Sequence, residues 1–217
     1  MKQAFAAGPT ADEFATCAPV VARTARELGA LGWTPATSGN FSMRVGATPY
    51  AAITISGCDK RHASVDDIML VDGNGQAVSG TSRPSAETAL HLQIYRRFPI
   101  TDMVLHTHSQ VQSVASRLYA ERGLVRLQGW ELQKALDGHT THDGVVDIPV
   151  FPNTQHMPEL VACVDAWLDS GKPLCAYLIA GHGLYTWGRD VDEARRHLEA
   201  LEFLLGCEMD LRRLQTS

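Results

Sequence analysis

Apolar residues along this chain recur with two different periods, and segments of the two kinds alternate. A spacing of three to four residues, typical of an amphipathic helix, marks residues 11–31, 84–98, 110–118, 157–169 and a last segment from Asp190 onward. Short apolar runs of strand length lie at 41–45, 51–55, 103–108, 145–151, 174–180 and 184–187. A hairpin over 67–79 and a short helical piece over 129–136 complete the pattern. The sequence therefore predicts a mixture of helices and strands throughout its length.

The predicted connections indicate how the strands pair. Several strand pairs are joined by turns of a few residues, which only antiparallel neighbours allow. We therefore expect an α/β fold, a three-layer α/β/α sandwich around a central, mostly antiparallel sheet. No linker rich in Pro, Gly or Ser interrupts the 217 residues, so a single domain over 1–217 is predicted.

Composition and charge narrow the class of protein. Hydrophobic residues make up 45% of the chain and charged residues 20%, an ordinary balance for a globular core. A net charge of −5 and the lack of a basic tract argue against a nucleic-acid partner. No apolar stretch reaches the about 18 residues of a membrane span, and residues 1–16 lack the apolar segment of a signal peptide. Five scattered cysteines without CxxC spacing are typical of reduced thiols, which favours a cytoplasmic location.

A histidine pair at the end of a predicted strand is the first candidate for chemistry. His106 and His108 follow an apolar run and are two residues apart, so in an extended strand both imidazoles point to the same face. Two neighbouring imidazoles repel when protonated and need partners when neutral, and one divalent cation meets both demands. The alternative is a pair of structural histidines bonded to carbonyl groups.

A third imidazole lies between two glycines, in Gly181-His182-Gly183. Glycine permits unusual backbone angles and close approach, which suits a histidine that points into a site from a turn. A hairpin turn that contains a histidine without further function is the alternative. Together with His106 and His108, His182 forms a candidate three-histidine set, which leaves a coordination position free for water or substrate.

Two glutamates are candidates for proton transfer beside such a metal. Glu87 falls in the first turn of its predicted helix, where a carboxylate also stabilises the helix dipole without any catalytic role. Glu131 follows Trp130, and an aromatic ring that excludes water would raise the pKa of the carboxyl group. An ordinary exposed helical glutamate is the alternative at this second position.

Two short glycine-containing turns and a predicted helix start indicate a site for an anion such as a phosphate group. The first turn contains Ser38, Gly39 and Asn40, the second contains Ser56 and Gly57, and Ser85 lies at the helix start. Exposed backbone N–H groups at turns and helix N-termini bind phosphate without much positive charge, and Lys60 adds one cation. Each turn alone is also compatible with a purely structural role, and none matches a nucleotide-binding loop.

Taken in order, these motifs resemble the class II aldolase/adducin family. The resemblance rests on residues 38–42, 56–57, 84–87, 106–108 and 182–183, and it covers most of the chain. It implies a zinc enzyme with His106, His108 and His182 as ligands. It also implies a small sugar phosphate as substrate and a homo-oligomer, expected to be a tetramer as in relatives.

Three further stretches indicate a branch of that family. Residues 55–60, 128–134 and 182–188 are most similar to enzymes that dehydrate a ketose 1-phosphate carrying a methylthio group, in methionine salvage. The aldolase branch uses the glutamate matching Glu87 as its acid/base, whereas the dehydratases use the glutamate matching Glu131. This chain has both, and the resemblance favours Glu131. A fuculose- or rhamnulose-phosphate type of aldolase and a non-catalytic adducin-like binding module are the alternatives.

Overall fold

A computed structural model describes residues 8–215 of the chain. Residues 1–7 and 216–217 lie outside the described residues. The two ends of the predicted domain 1–217, and the first part of residues 1–16, where no signal peptide was expected, are therefore not described. The helices are α1 (Ala11–Ala30), α2 (Thr88–Arg97), α3 (Gln110–Leu118), α4 (Met157–Asp169) and α5 (Val191–Gln215). The strands are β1 (Asn40–Arg44), β2 (Ala51–Thr54), β3 (Ile68–Val71), β4 (Met103–Thr107), β5 (Leu124–Gln128), β6 (Val145–Phe151), β7 (Ala176–Ile179) and β8 (Gly183–Gly188).

The strands form one sheet in the order β3-β2-β1-β4-β8-β7-β6-β5. Every neighbouring pair is antiparallel except β6 and β7, which are parallel, so the prediction of a mostly antiparallel sheet is confirmed. In the centre, His106 of β4 pairs with Tyr185 of β8. The end of β4 therefore lies beside the beginning of β8.

Helices cover both faces of the sheet, as expected for a three-layer sandwich. One apolar layer includes Leu28 of α1, Ala115 of α3 and Leu201 of α5. The layer on the opposite face includes Leu90 of α2 and Leu160 of α4. Among the described helices, none combines the length and apolar character that crossing a lipid bilayer requires.

A capping box joins β4 to α3 directly behind the histidine pair. The Ser109 Oγ accepts a hydrogen bond from the Gln112 amide at 3.1 Å, and the Gln112 Oε1 accepts one from the Ser109 amide at 3.3 Å. This reciprocal arrangement satisfies two N–H groups at the start of α3. It fixes the direction in which the chain leaves the end of β4.

Three details of the predicted elements were wrong. Helix α2 begins at Thr88 rather than at residue 84, so Glu87 is the N-cap residue and does not lie in the first turn. The second half of the hairpin predicted over 67–79 is reduced to one bridge between Val71 and Ala77. Strand β5 was not predicted at all, because only Val125 and Leu127 of this short edge strand are buried.

Candidate metal centre and active site

The end of β4 presents both predicted imidazoles on one face of the sheet. Thr107 points to the other face, where its hydroxyl donates to the Gln112 Oε1 at 2.9 Å. The Nδ1 of the fully buried His106 donates to the Leu184 carbonyl at 3.0 Å, which leaves the Nε2 lone pair free. The Nε2 atoms of His106 and His108 are 2.8 Å apart. Two ligand-type nitrogens therefore converge on one point.

His182 reaches the same point from the turn between β7 and β8. Gly181 has a φ of +62°, in the left-handed region that favours glycine. A Cβ on Gly183 would lie 2.1 Å from the Thr107 carbonyl oxygen, so only glycine lets β8 begin this close to β4. The His182 ring centroid lies 5.1 Å from that of His106 and 4.4 Å from that of His108. The ligand nitrogens of all three histidines lie within 4.8 Å of one another.

The surroundings keep two of these imidazoles neutral. Burial, reinforced by the neighbouring His182, holds the pKa of His106 well below its ordinary value. Burial and the adjacent His106 lower the pKa of His108 to about 3. A neutral imidazole is the form that coordinates a metal, and three nitrogen donors leave a divalent cation with an open position. The donor set therefore fits a catalytic metal.

Glu87 lies against the three-histidine cluster. Its Oε1 is 3.2 Å from the His182 Nε2, and its Oε2 is 3.6 Å from the His106 Nε2. The Ser85 Oγ accepts a hydrogen bond from the Glu87 amide at 3.2 Å, and the Asn40 Nδ2 donates to the Glu87 Oε2 at 2.6 Å. Only 17% of the Glu87 side chain is exposed, so this carboxylate is held in place beside the three histidines.

Glu131 lies elsewhere in the described chain. It follows β5, which runs antiparallel to β4, so Glu131 is at the opposite end of the sheet from His106. Its side chain is 73% exposed and forms an ion pair with Lys134. The hydrogen bond from Lys134 lowers the pKa of Glu131, so the expectation that Trp130 raises it was wrong.

The first predicted phosphate turn borders a cleft beside the histidines. The cleft of about 350 Å³ is lined by His108, His182 and Ser38 among others, and the buried Ser38 Oγ has no hydrogen-bond partner. The turn itself is tight, because Thr37 has a φ of +66°. A Cβ on Gly39 would lie 2.6 Å from the His106 carbonyl oxygen, so this glycine lets the turn pack directly on β4.

Lys60 and Asn40 do not face solvent as a phosphate ligand would. Lys60 is 2% exposed, and its Nζ donates to the Thr37 carbonyl at 2.9 Å and the Cys58 carbonyl at 3.2 Å. Burial lowers the pKa of Lys60. Asn40 is 4% exposed and contacts Glu87. Lys60 therefore holds the turn that carries Ser38, and Asn40 holds a carboxylate.

The other predicted anion-binding residues lie in neighbouring turns. Ser56 and Gly57 follow β2, and the Ser56 amide donates to the Arg83 carbonyl at 3.3 Å. This contact brings the turn before α2, with Ser85, next to them. Gly57 is exposed, with a φ of +79° and open space around its Cβ position. An anion can therefore approach these backbone groups from solvent.

Several cleft residues were missed from the sequence. Ser113 lines the cleft with Asn153 and Gln155, and its hydroxyl donates to the His182 carbonyl at 2.9 Å. Tyr185 stacks on His106 with ring centroids 3.9 Å apart. Tyr185 belongs to the stretch 182–188 on which the resemblance rests, but no local pattern marks the other three.

Three histidines and a carboxylate lie together where the central strand β4 of the α/β/α sandwich ends. This combination of fold and site is characteristic of one class of proteins. This chain belongs to the class II aldolase and adducin N-terminal domain family, whose sequence profile matches residues 20–209. The predicted family is therefore confirmed.

Individual relatives are similar over nearly their whole length. A methylthioribulose-1-phosphate dehydratase of Xanthomonas campestris pv. campestris (strain 8004) is 59% identical over 191 residues, which cover 88% of this chain and 87% of the relative. One of Stenotrophomonas maltophilia (strain R551-3) is 60% identical over 190 residues, with 88% of each chain covered.

Solved structures confirm the fold. An L-fuculose 1-phosphate aldolase superposes with a TM-score of 0.74 at 23% identity, over 97% of this chain and 89% of the other. The L-fuculose-1-phosphate aldolase of Thermus thermophilus gives a TM-score of 0.69 at 25% identity, over 95% of this chain and 98% of the other.

Proposed function

We propose that this protein is a hydro-lyase that removes water from 5-methylthioribulose 1-phosphate, giving 2,3-diketo-5-methylthiopentyl 1-phosphate in methionine salvage. The observation that carries the proposal is the 59–60% identity, over 87–88% of their length, to relatives named for this dehydration. The convergence of three imidazoles and a carboxylate supports it, because a non-catalytic binding module has no need for such a set.

His106, His108 and His182 would hold one zinc ion per subunit. The fit rests on their nitrogens lying within 4.8 Å of one another and on the Leu184 carbonyl that orients the His106 ring. When bound, such an ion supplies Lewis-acid polarisation of a carbonyl oxygen. The three neutral ligands leave its charge undiminished.

The two glutamates divide the proton transfers in this proposal. Loss of water requires that the proton on C3 be removed and that the C4 hydroxyl leave with an added proton. Glu87 accepts the C3 proton, because its carboxylate lies 3.2 Å from the His182 Nε2 and is held in place by Asn40. Glu131 protonates the departing C4 hydroxyl. One water leaves, and the resulting enol tautomerises to the diketone.

Glu131 takes this role from a second copy of the chain. The His106 of the same chain lies at the opposite end of the sheet from Glu131. Only a neighbouring subunit can therefore bring a Glu131 to this histidine cluster. Apolar side chains beside it support such an interface, since Leu132 is 39% exposed and Phe203 is 57% exposed. Burial between subunits would also raise the pKa of Glu131 into the range of a proton donor. A homotetramer is the expected assembly.

The substrate phosphate lies against the polar turns. Ser38 and Gly39 supply one turn next to the cluster, and Ser56, Gly57 and Ser85 supply the neighbouring one, with their backbone N–H groups as donors. Lys60 contributes its charge from behind the first turn, which it holds through the Thr37 carbonyl.

A small soluble sugar phosphate as substrate and the free cysteines among the described residues are in keeping with a cytoplasmic location.

A class II sugar-phosphate aldolase is the second candidate, and the position of Glu87 favours it. Glu87 matches the acid/base of the aldolase branch and contacts the histidine cluster within a single chain. Both reactions begin with proton chemistry next to a carbonyl, so the metal ligands do not separate them. The product does, because an aldolase breaks a carbon–carbon bond.

The test is a direct comparison of substrates with the zinc-loaded protein. We expect methylthioribulose 1-phosphate to yield the diketone, detected by mass spectrometry as a loss of one water, and fuculose 1-phosphate to remain intact. Metal analysis is expected to give about one zinc per chain. Release of an aldehyde from fuculose 1-phosphate alone would overturn the dehydratase proposal in favour of the aldolase. Turnover of neither, with metal bound, would favour a binding module.

A further inference from the structure

A buried chain of polar side chains runs from Glu87 into the layer between the sheet and α2. It consists of Asn40 and Ser42 on β1 and of His91 and Tyr95 on α2, and each of the four is at most 5% exposed. None of them carries a step in the proposed reaction. Buried polar groups of this kind are costly unless every member finds a partner.

Each neighbouring pair in this chain is in hydrogen-bond contact. The Asn40 Nδ2 lies 2.6 Å from the Glu87 Oε2, and the Asn40 Oδ1 contacts the His91 Nε2. The His91 Nδ1 lies 2.7 Å from the Ser42 Oγ, which lies 2.8 Å from the Tyr95 hydroxyl. Five side chains are thus connected without a gap.

The chemistry of the groups fixes the direction of every bond. An ionised Glu87 only accepts, so Asn40 must turn its NH₂ group toward Glu87 and its oxygen toward His91. His91 must then donate through Nε2, and a neutral ring accepts through Nδ1 from the Ser42 hydroxyl. Ser42 in turn accepts from Tyr95. One arrangement therefore satisfies all the groups, and the His91 Nε2–H is the donor that holds the Asn40 oxygen on the side away from Glu87.

We infer that His91 is a positioning residue, which holds the Asn40 amide so that it donates to Glu87 and keeps this carboxylate beside the three imidazoles. The inference rests on the proposed function insofar as Glu87 moves a proton. Without a donor at position 91, the Asn40 oxygen loses its buried partner and the amide is free to shift, which loosens its hydrogen bond to Glu87. Glu87 then loses the contact that orients it.

Two variants of His91 separate positioning from packing. The amide nitrogen of glutamine in His91→Gln can occupy the place of Nε2 and donate to Asn40, whereas the shorter asparagine in His91→Asn reaches only the place of Nδ1. We expect His91→Asn to lower kcat about 10- to 100-fold with KM and zinc content unchanged, as for other partners that orient a site residue. His91→Gln should restore most of kcat. Equal losses in both variants would overturn the inference.

Gln93→Met is the matched control on the same helix. Gln93 is 1% exposed and donates to the Val161 carbonyl at 2.7 Å, away from Glu87. We expect this variant to lower thermal stability while kcat stays at the wild-type value. A loss of kcat here as large as in His91→Asn would mean that α2 responds to any buried change, and the inference would fail.

A double-mutant cycle with Glu87→Ala tests whether His91 acts through Glu87. We expect the double variant Glu87→Ala/His91→Asn to be no slower than Glu87→Ala alone, because the group that His91 positions is already gone. Additive losses would contradict the inference.

The wild-type protein, assayed first on methylthioribulose 1-phosphate, tests the proposed function separately. Where it shows no turnover, crystal structures decide: the Glu87 carboxylate should be displaced in His91→Asn and in its wild-type place in His91→Gln, and an unmoved carboxylate in both refutes positioning.

Discussion

At the scale of single residues, the proposed metal site depends on one ring that the backbone orients. His106 donates from Nδ1 to the Leu184 carbonyl, and this bond turns Nε2 toward His108 and His182. A cation held by two histidines instead of three lacks the donor count of a catalytic site.

We therefore predict that His106→Ala abolishes both zinc retention and turnover while the fold is kept. The cost in stability of the metal-free protein should be about 1–3 kcal/mol, from the space left by the ring. Zinc content after dialysis, turnover and far-UV circular dichroism measure the three effects. His62→Ala is the control, because His62 is exposed and lies outside the cluster. Normal turnover by metal-free wild-type protein would contradict this prediction.

The residues predicted from the sequence differ in how local their signal is. The pairing of His106 with His108 follows from the period of a strand, so two residues suffice to indicate it. The contact between Asn40 and Glu87 joins positions 47 residues apart, and the contact between Lys60 and Thr37 joins positions 23 apart. Polar turns of this kind are therefore visible in the sequence, but the partners of their side chains, and with them their orientation, depend on how distant segments pack.

At the scale of elements, the site exists because β8 begins in close contact with β4. We predict that Gly183→Ala destabilises the protein by about 2–4 kcal/mol and weakens zinc binding, since the new Cβ would lie 2.1 Å from the Thr107 carbonyl oxygen. Denaturant unfolding and zinc titration measure both effects. Gly206→Ala is the control within α5, where nothing lies within 4 Å of the new Cβ. That variant should gain about 0.5–1 kcal/mol, and an equal loss in both would refute the explanation.

The N-terminus of α5 gives a prediction for pH. Glu193 accepts from the Arg189 amide at 2.7 Å and pairs with the Arg189 guanidinium, which lowers its pKa from 4.5 to about 2. A carboxylate with a lowered pKa in the folded state stabilises the protein above pH 4.5, and this stabilisation disappears as the pH falls toward 2. The free energy of unfolding should therefore depend on Glu193 at neutral pH and not in strong acid.

We predict that Glu193→Gln costs about 2 kcal/mol at pH 7 and that the difference from wild type vanishes near pH 2. Denaturant unfolding with a chelator present, at several pH values, measures it without a contribution from bound metal. Glu199→Gln is the control on the same helix, because the Glu199 side chain is 56% exposed and lies 3.8 Å from Arg195. It should change stability by less than about 0.5 kcal/mol. A Glu193→Gln difference that stays constant with pH would exclude the charge as its cause.

Elements whose apolar residues recur with a clear helical or strand period were predicted from the sequence, and elements without such a period were not. Helix α3 and strand β6 have the predicted bounds, since a capping box starts the first and a long apolar run forms the second. The start of α2 was displaced because Ala86 and Glu87 form a turn ahead of the helix, closed by the Thr88 amide on the Ser85 carbonyl at 3.0 Å. The contact of the Arg83 carbonyl with the Ser56 amide holds the segment before this turn. Strand β5 is an edge strand with two buried residues, too few for a pattern.

At the scale of the whole molecule, one chain holds two halves of a proposed site at opposite ends of its sheet. The imidazoles and Glu87 lie where β4 ends, and Glu131 lies where β5 ends, beside the exposed Leu132 and Phe203. In the proposed oligomer, a head-to-tail contact between copies would bring the first half of one subunit to the second half of the next. Where the rotation between copies closes into a ring, such a contact would leave no copy with an unpaired half-site.

This arrangement predicts that two inactive variants restore each other. His106→Ala lacks the metal site but carries an intact Glu131, and Glu131→Gln has the opposite defect. If every site takes its imidazoles from one copy and Glu131 from another, random assembly of equal amounts leaves about a quarter of the sites with both halves intact. Co-expression with two different affinity tags, followed by purification through both, isolates the mixed oligomers for assay. Turnover near that level supports a shared site. Mixed oligomers as inactive as either parent would show that both halves must come from one chain, and full activity of Glu131→Gln alone would show that Glu87 suffices; either result contradicts the shared site.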